Sequence, residues 1–219
     1  MRNFCIIELV SNLPGGKTMT DKEIMLNGDL YFSGCKELDD MRNSTEKIMA
    51  EFNSDITDHA KRDKIIHQLF NKCGQNVFFR GELQVDYGCN ISVGDNFFAN
   101  FGTILLDVNE IIIGSGCMFG PRVGIYTAGH PTPYQERNSG LEFGLKVVIG
   151  DNCWIGGNVV INPGVTIGSG SVIGSGAIVT RDIPADSIAV GNPCKVLRKI
   201  TEEDRKFWQE KINKYKDEI

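Results

Sequence analysis

From Val147 onward, the apolar residues Ile149, Ile155, Ile161, Ile167, Ile173 and Val179 recur every six positions. Glycine follows at Gly150, Gly156, Gly168 and Gly174. A period of six matches neither an amphipathic helix nor the alternation of a simple strand, so the chain turns a corner once per repeat. Small or β-branched residues stand two places earlier, at Val147, Cys153, Val159, Val165, Ser171 and Ala177. With both sets pointing inward, three sides close a triangular coil of roughly 18 residues, and successive coils stack at about 4.8 Å through backbone hydrogen bonds. Glycine suits the corners, where a turn often needs φ > 0.

A looser form of the repeat runs earlier, through Val77 and Leu83, then Val93, Ala99, Leu105 and Ile111. It slips by two to Ile113, Phe119 and Ile125. The slips predict irregular corners. Between Ile125 and Ile149 the pattern gives way to a polar, proline-containing excursion, and long loops on a rigid scaffold carry function. Upstream, Asp39 to Phe52 and Thr57 to Asn71 look helical and lack the sixfold period, and Met19 to Glu23 reads as the start of a further helix. At the other end Thr201 with Asp204 forms a capping-box pattern that opens a helix through Lys216.

The expected fold is therefore mainly β: a parallel β-helix over residues 75–200, interrupted by an excursion at 129–146. A helical cap at 19–74 and a C-terminal helix at 201–219 close its ends, as solenoids require. Residues 1–18 read as an extension outside this fold.

Composition narrows the function. Among 219 residues, 41% are hydrophobic and the formal charge is −5, which argues against a surface built for a nucleic-acid backbone. Glu8 interrupts the short apolar run at the start, and no stretch reaches the ~20 apolar residues of a membrane helix. Seven cysteines without CxxC spacing read as reduced thiols of a cytoplasmic protein. Cys117 and Cys153 occupy small-residue repeat positions and belong to the core.

Only three histidines are present. His59 and His67 lie in a charged helical segment and read as surface or packing residues. His130 sits where the repeat yields to the excursion, and Pro131 restricts the backbone that presents it. A histidine there supplies a base whose pKa lies near neutral pH, which a hydroxyl needs in order to attack an acyl group. No GxSxG elbow and no Cys–His pair suggests a covalent intermediate, so direct attack on a bound thioester is the simpler scheme. No second histidine or paired cysteine accompanies His130, so no metal site is expected.

Five segments carry a resemblance: Asp86-Tyr87-Gly88, Asn96 to Phe101, Tyr126 to Pro131, Asn152 to Gly157 and Val160 to Gly168. Together they resemble the maltose and galactoside O-acetyltransferases, over about Met19 to Ile200. Arg137 to Gly140 and Leu106-Asp107-Val108 look closer to the maltose type. The resemblance implies a left-handed coil, acetyl-CoA as acetyl donor, a sugar acceptor, and a homotrimer with active sites between subunits.

Carried over residue by residue, it makes His130 the general base and sets Asn100 beside it to hold the acceptor or steady the transition state. Ser33, Asp86 and Asp107 then contact the sugar. Ser33 replaces an acidic residue of the galactoside enzymes, and Asp107 falls one residue from their second acidic contact. Asp86 and Asn100 also fit plainer roles, capping a turn or satisfying a corner backbone. The pantetheine arm runs past Gly157 and Ser175, with Thr180 and Arg181 beyond and Lys195 and Arg198 near the nucleotide phosphates. A backbone N–H near Gly157 suits the oxyanion. Two other readings stay open: acetylation of an antibiotic or amino acid, and a β-helical scaffold without catalysis.

Overall fold

A computed structural model describes residues 19–218. The extension expected at 1–18 lies outside the described residues.

The inward apolar series produces three parallel sheets wound as one coil. The chain runs repeatedly from face one (Lys72–Cys73, Ile91–Val93, Ile111–Ile113, Val147–Ile149, Thr166–Ile167) to face two (Phe78–Phe79, Phe98–Ala99, Met118–Phe119, Trp154–Ile155, Val172–Ile173, Ser187–Val190). From there it passes to face three (Leu83–Val85, Thr103–Leu106, Gly124–Tyr126, Val160–Ile161, Ile178–Val179). Lys195–Lys199 then closes face two as an antiparallel edge.

Burial alternates along the strands as the pleat demands, and Ile125, Ile161 and Val179 stack in register through the centre. Cys117 and Cys153 are buried in the same core. In the first coils the core is aromatic. Phe79 meets Phe97 at 5.5 Å and Phe97 meets Phe119 at 4.9 Å, both edge to face.

The corners need unusual backbone. Between faces one and two, Asn76, Asn96, Gly116, Asn152, Gly170 and Asp186 all have φ between 53° and 70°, a region tolerated by Gly, Asn and Asp. At Gly120 the reason is proximity: a Cβ would come within 2.5 Å of the Gly157 nitrogen in the next coil.

Coil length changes along the stack. On face one, Lys72 pairs with Ser92 and Ser92 with Ile112, each twenty residues on, whereas Val148 pairs with Thr166, eighteen on. The two extra residues fall each time at the corner from face three to face one. At that same corner the third coil inserts the excursion. The excursion is more ordered than expected of an irregular loop: Ala128–Gly129 and Leu141–Gly144 pair as antiparallel strands around a helical turn, α4 (Tyr134–Arg137).

The cap docks on this corner. Helix α1 (Asp21–Asn27) opens with a Thr20/Glu23 capping box and ends at Gly28 in the left-handed region. The strand Tyr31–Phe32 follows and adds to the outer edge of Leu141–Gly144. Helices α2 (Lys36–Ser54) and α3 (His59–Leu69) cover the open end of the first coil, with Phe52, Ile65 and Ile66 joining its core. At the far end α5 (Glu202–Asp217) forms the Thr201/Asp204 capping box and buries none of its residues.

Candidate active site

A cavity of about 260 Å³ opens where the cap, the hairpin and the face-three-to-face-one corners meet. Ser33 and Arg42 line it from the cap, Asp86, Tyr87 and Val108 from the first two corners, and Ala128 and Glu142 from the hairpin.

Its polar wall is cross-linked. The Arg42 guanidinium donates to the Tyr87 hydroxyl and to the Ser33 carbonyl, both at 2.6 Å, and pairs with Asp39. Burial, followed by the nearby Glu142 charge, pushes the Asp86 carboxyl above the usual range, and Arg42 pulls the other way. The buried Tyr31 hydroxyl donates to Glu142 Oε1. The other oxygen of Glu142 lies 3.8 Å from His130 Nε2. The two side chains differ in access: His130 is 54% exposed and Glu142 16%. That sets an open imidazole beside a sheltered carboxylate.

Asp107 corrects an expectation. Rather than facing the cavity to meet a sugar, it is fully buried. Its Oδ1 accepts the backbone N–H groups of Asp86 (3.0 Å) and Tyr87 (2.9 Å), and Oδ2 accepts that of Asn90 (3.2 Å). Burial pushes its carboxyl up to about 7, against the pull of those N–H groups. It shapes the loop that carries Asp86 and leaves no oxygen for a ligand.

Asn100 is also displaced from its expected neighbour. It lies between Ala99 and Thr103, at the corner from face two to face three, with its Oδ1 accepting the Phe101 N–H at 2.9 Å. Within one chain, face three separates that ridge from the ridge of His130. Gly157 and Ser175 share the ridge of Asn100, whereas Thr180 and Arg181 share that of His130, two coils further along the stack. Lys195 and Arg198 stand on the closing strand of face two. Arg198 already makes a two-pronged pair with Asp204, at 2.5 and 2.8 Å, so its guanidinium is partly committed to the helix start. His59 packs on Phe78 and His67 bonds along α3, away from the cavity.

Residues 24–74 match the maltose acetyltransferase hexapeptide capping motif, and residues 146–181 match the bacterial transferase hexapeptide (six repeats). The galactoside O-acetyltransferase of Escherichia coli is 39% identical over 83% of this chain and 90% of its own. This chain belongs to the maltose and galactoside O-acetyltransferase family. A solved structure of a maltose O-acetyltransferase from Clostridium difficile matches at 49% identity and a TM-score of 0.83, covering 85% of this chain and all of that one. A hexapeptide-repeat acetyltransferase from Vibrio cholerae, solved with acetyl coenzyme A, matches at 33% identity and a TM-score of 0.78, over 84% and 100% of the two chains.

In this O-acetyltransferase neither matched motif contains His130 or Glu142. The capping motif does contain Tyr31, Ser33 and Arg42. The cap thus furnishes one wall of the cavity as well as an end to the coil. Reading the sequence alone missed Arg42, Glu142 and Tyr31 as site residues.

Proposed function

We propose that the chain transfers acetyl from acetyl-CoA to a sugar hydroxyl with His130 as the general base. The observation that carries this reading is an exposed imidazole whose Nε2 lies 3.8 Å from the sheltered carboxylate of Glu142, which lines a polar cavity. As the acceptor oxygen attacks the thioester carbonyl, its proton passes to His130, a C–O bond forms and the C–S bond breaks. The proton then leaves with the CoA thiolate. Glu142 supplies the counter-charge for the imidazolium that exists between those steps.

Asp86, Ser33 and Arg42 offer acceptors and donors suited to the hydroxyls of a sugar. Asn100 supports a site shared between subunits: it joins His130 only when a neighbouring copy brings its own ridge alongside. Gly157 and Ser175 on that ridge, with Thr180 and Arg181 on the other, suit a pantetheine arm held between two copies of a homotrimer. The exposed cations Arg181 and Lys195, with Arg198 where its pairing allows, suit the phosphates.

The test is release of CoA from acetyl-CoA with glucose, maltose and a galactoside as acceptors. His130→Ala is expected to lower kcat by about 10²–10⁴-fold with an unchanged melting temperature. Full activity in that variant removes His130 from the mechanism. Light scattering is expected to give three copies, and a monomer that retains full activity sinks the shared site.

A further inference from the structure

We propose that Tyr31 of the cap is a positioning residue that aims Glu142 at His130, making the cap a working part of the catalytic apparatus. This rests on the reading of His130 as the base.

Three observations carry it. The first is register: Tyr31 lies directly opposite Glu142 in the antiparallel pair of the cap strand and the hairpin, so the two Cβ atoms leave the same face of the sheet. The second is the division of the carboxylate: the Tyr31 hydroxyl donates to Oε1, while Oε2 faces the imidazole. The third is what fixes the phenol. Tyr31 is 1% exposed and packs with Met25, Leu38, Tyr87 and Val108, a cluster drawn from helices α1 and α2 of the cap and two corners of the coil. A ring clamped in that way fixes the hydroxyl, and the hydroxyl fixes the rotation of the carboxylate.

A glutamate has three side-chain torsions, and the terminal one is broad. Without the phenol, the Glu142 carboxylate is free to turn toward the Arg42 guanidinium across the same cavity, leaving His130 without its partner. Burial and the Glu142 carboxylate hold the phenol protonated, far above the ordinary range of a tyrosine, so it stays a donor at every working pH. Tyr31 touches neither substrate nor base; it acts through Glu142.

The decisive experiment is a double-mutant cycle on the full chain, with acetyl-CoA and the best of the three sugars. Tyr31→Phe removes only the hydroxyl. The expected result is a fall of about tenfold in kcat, on the scale set by misplacing a catalytic group by a fraction of an ångström, with KM for acetyl-CoA unchanged. In a Glu142→Leu background the same change is expected to have no further effect on kcat. A merely structural hydroxyl would lower the melting temperature and leave kcat per folded enzyme alone. It would also act equally in both backgrounds. Wild-type kcat in Tyr31→Phe, or equal losses in the two backgrounds, overturns the proposal. If His130→Ala is inactive while Tyr31→Phe behaves as wild type, only the role of Tyr31 falls. If His130→Ala is fully active, the base and its positioning residue fall together.

Discussion

The coils after Val147 and the corners of the three coils before it are made from the same repeat, yet they keep their polar atoms in different places. In the later coils the corner from face three to face one leaves Thr180, Arg181 and Asp182 exposed and Asn162 half-buried, and the interior is a stack of Ile, Val and Ala with a few small polar residues. In the earlier coils the corner from face three to face one buries Asn90, Asp107, Asn109 and Thr127. Each is paired. Asn109 Nδ2 reaches the carbonyls of Met25, Leu26 and Gly144, which ties the cap, the hairpin and the coil together. Thr127 Oγ1 donates to the Leu106 carbonyl and accepts from the Asn109 N–H.

A buried polar network of this kind imposes one geometry, because any member left unpaired costs about 1–3 kcal/mol. The comparison teaches a division of labour. The regular coils supply stiffness through many equivalent apolar contacts, and the ridge of longer corners supplies a fixed cavity through contacts that are not interchangeable.

The largest expected effect that separates the two is His130→Ala, which should lower kcat by about 10²–10⁴-fold while leaving the apolar stack untouched. Phe119→Ala does the reverse. Phe119 is 1% exposed and ends the edge-to-face series from Phe79 through Phe97. Its truncation is expected to cost about 3–5 kcal/mol in urea denaturation, with kcat per folded molecule near wild type. A large fall in kcat of the folded fraction would mean that the core and the ridge are not separable.

Asp107→Asn tests the ridge itself. The new amide group must turn its NH2 either toward the N–H groups of Asp86 and Tyr87 or toward that of Asn90, setting donor against donor. The expected cost is about 1–3 kcal/mol, with a raised KM for the sugar because Asp86 sits on the loop that Asp107 holds. If stability and KM both stay at wild-type values, the network is not what fixes the cavity.

How much of this could be read beforehand differs between the same two regions. The regular coils were legible because inward positions recur at a fixed spacing, and the break after Ile125 drew attention to the segment that carries His130. The slip of two residues was visible as well, but its meaning was not. The extra residues at Leu105 to Ile113 belong to one and the same corner in successive coils, and that corner forms the cavity. Glu142 and Tyr31 were invisible for a physical reason: strands of two to four residues carry no detectable period, and their pairing spans 111 positions. Arg42 was hidden among the charges of α2 for a similar reason, since nothing in a helical pattern says which charged residue meets Tyr87. Asp107 misled because a buried carboxylate that accepts backbone N–H groups looks, in sequence, like one that waits for a sugar.

The smallest expected effect gives the sharpest comparison. Ile125 and Ile161 are adjacent rungs of face three, in register and both fully buried, so Ile→Val removes the same methyl group from the same environment. Each change is expected to cost about 0.5–1.5 kcal/mol, and the two costs should agree closely. Their effects on catalysis should not agree. Ile125 immediately precedes Tyr126 and Thr127, whose backbone leads into the hairpin bearing His130, whereas Ile161 leads into the turn Asn162 to Gly164, which meets the excursion only past the hairpin strand, where the Gly164 N–H donates to the Leu145 carbonyl. A void under the first rung can relax by shifting Thr127 and, through it, the hairpin. The same void under the second reaches the excursion only through the long 3.4 Å bond from Gly164 to Leu145, beyond the strand that carries Glu142. A small loss of kcat in Ile125→Val with none in Ile161→Val, at matched stability, is therefore the expected result of steady-state kinetics and urea titration on the pair. Equal kcat in both would show that the ridge is insulated from the coil beneath it, and that its own hydrogen bonds suffice to hold His130 in place.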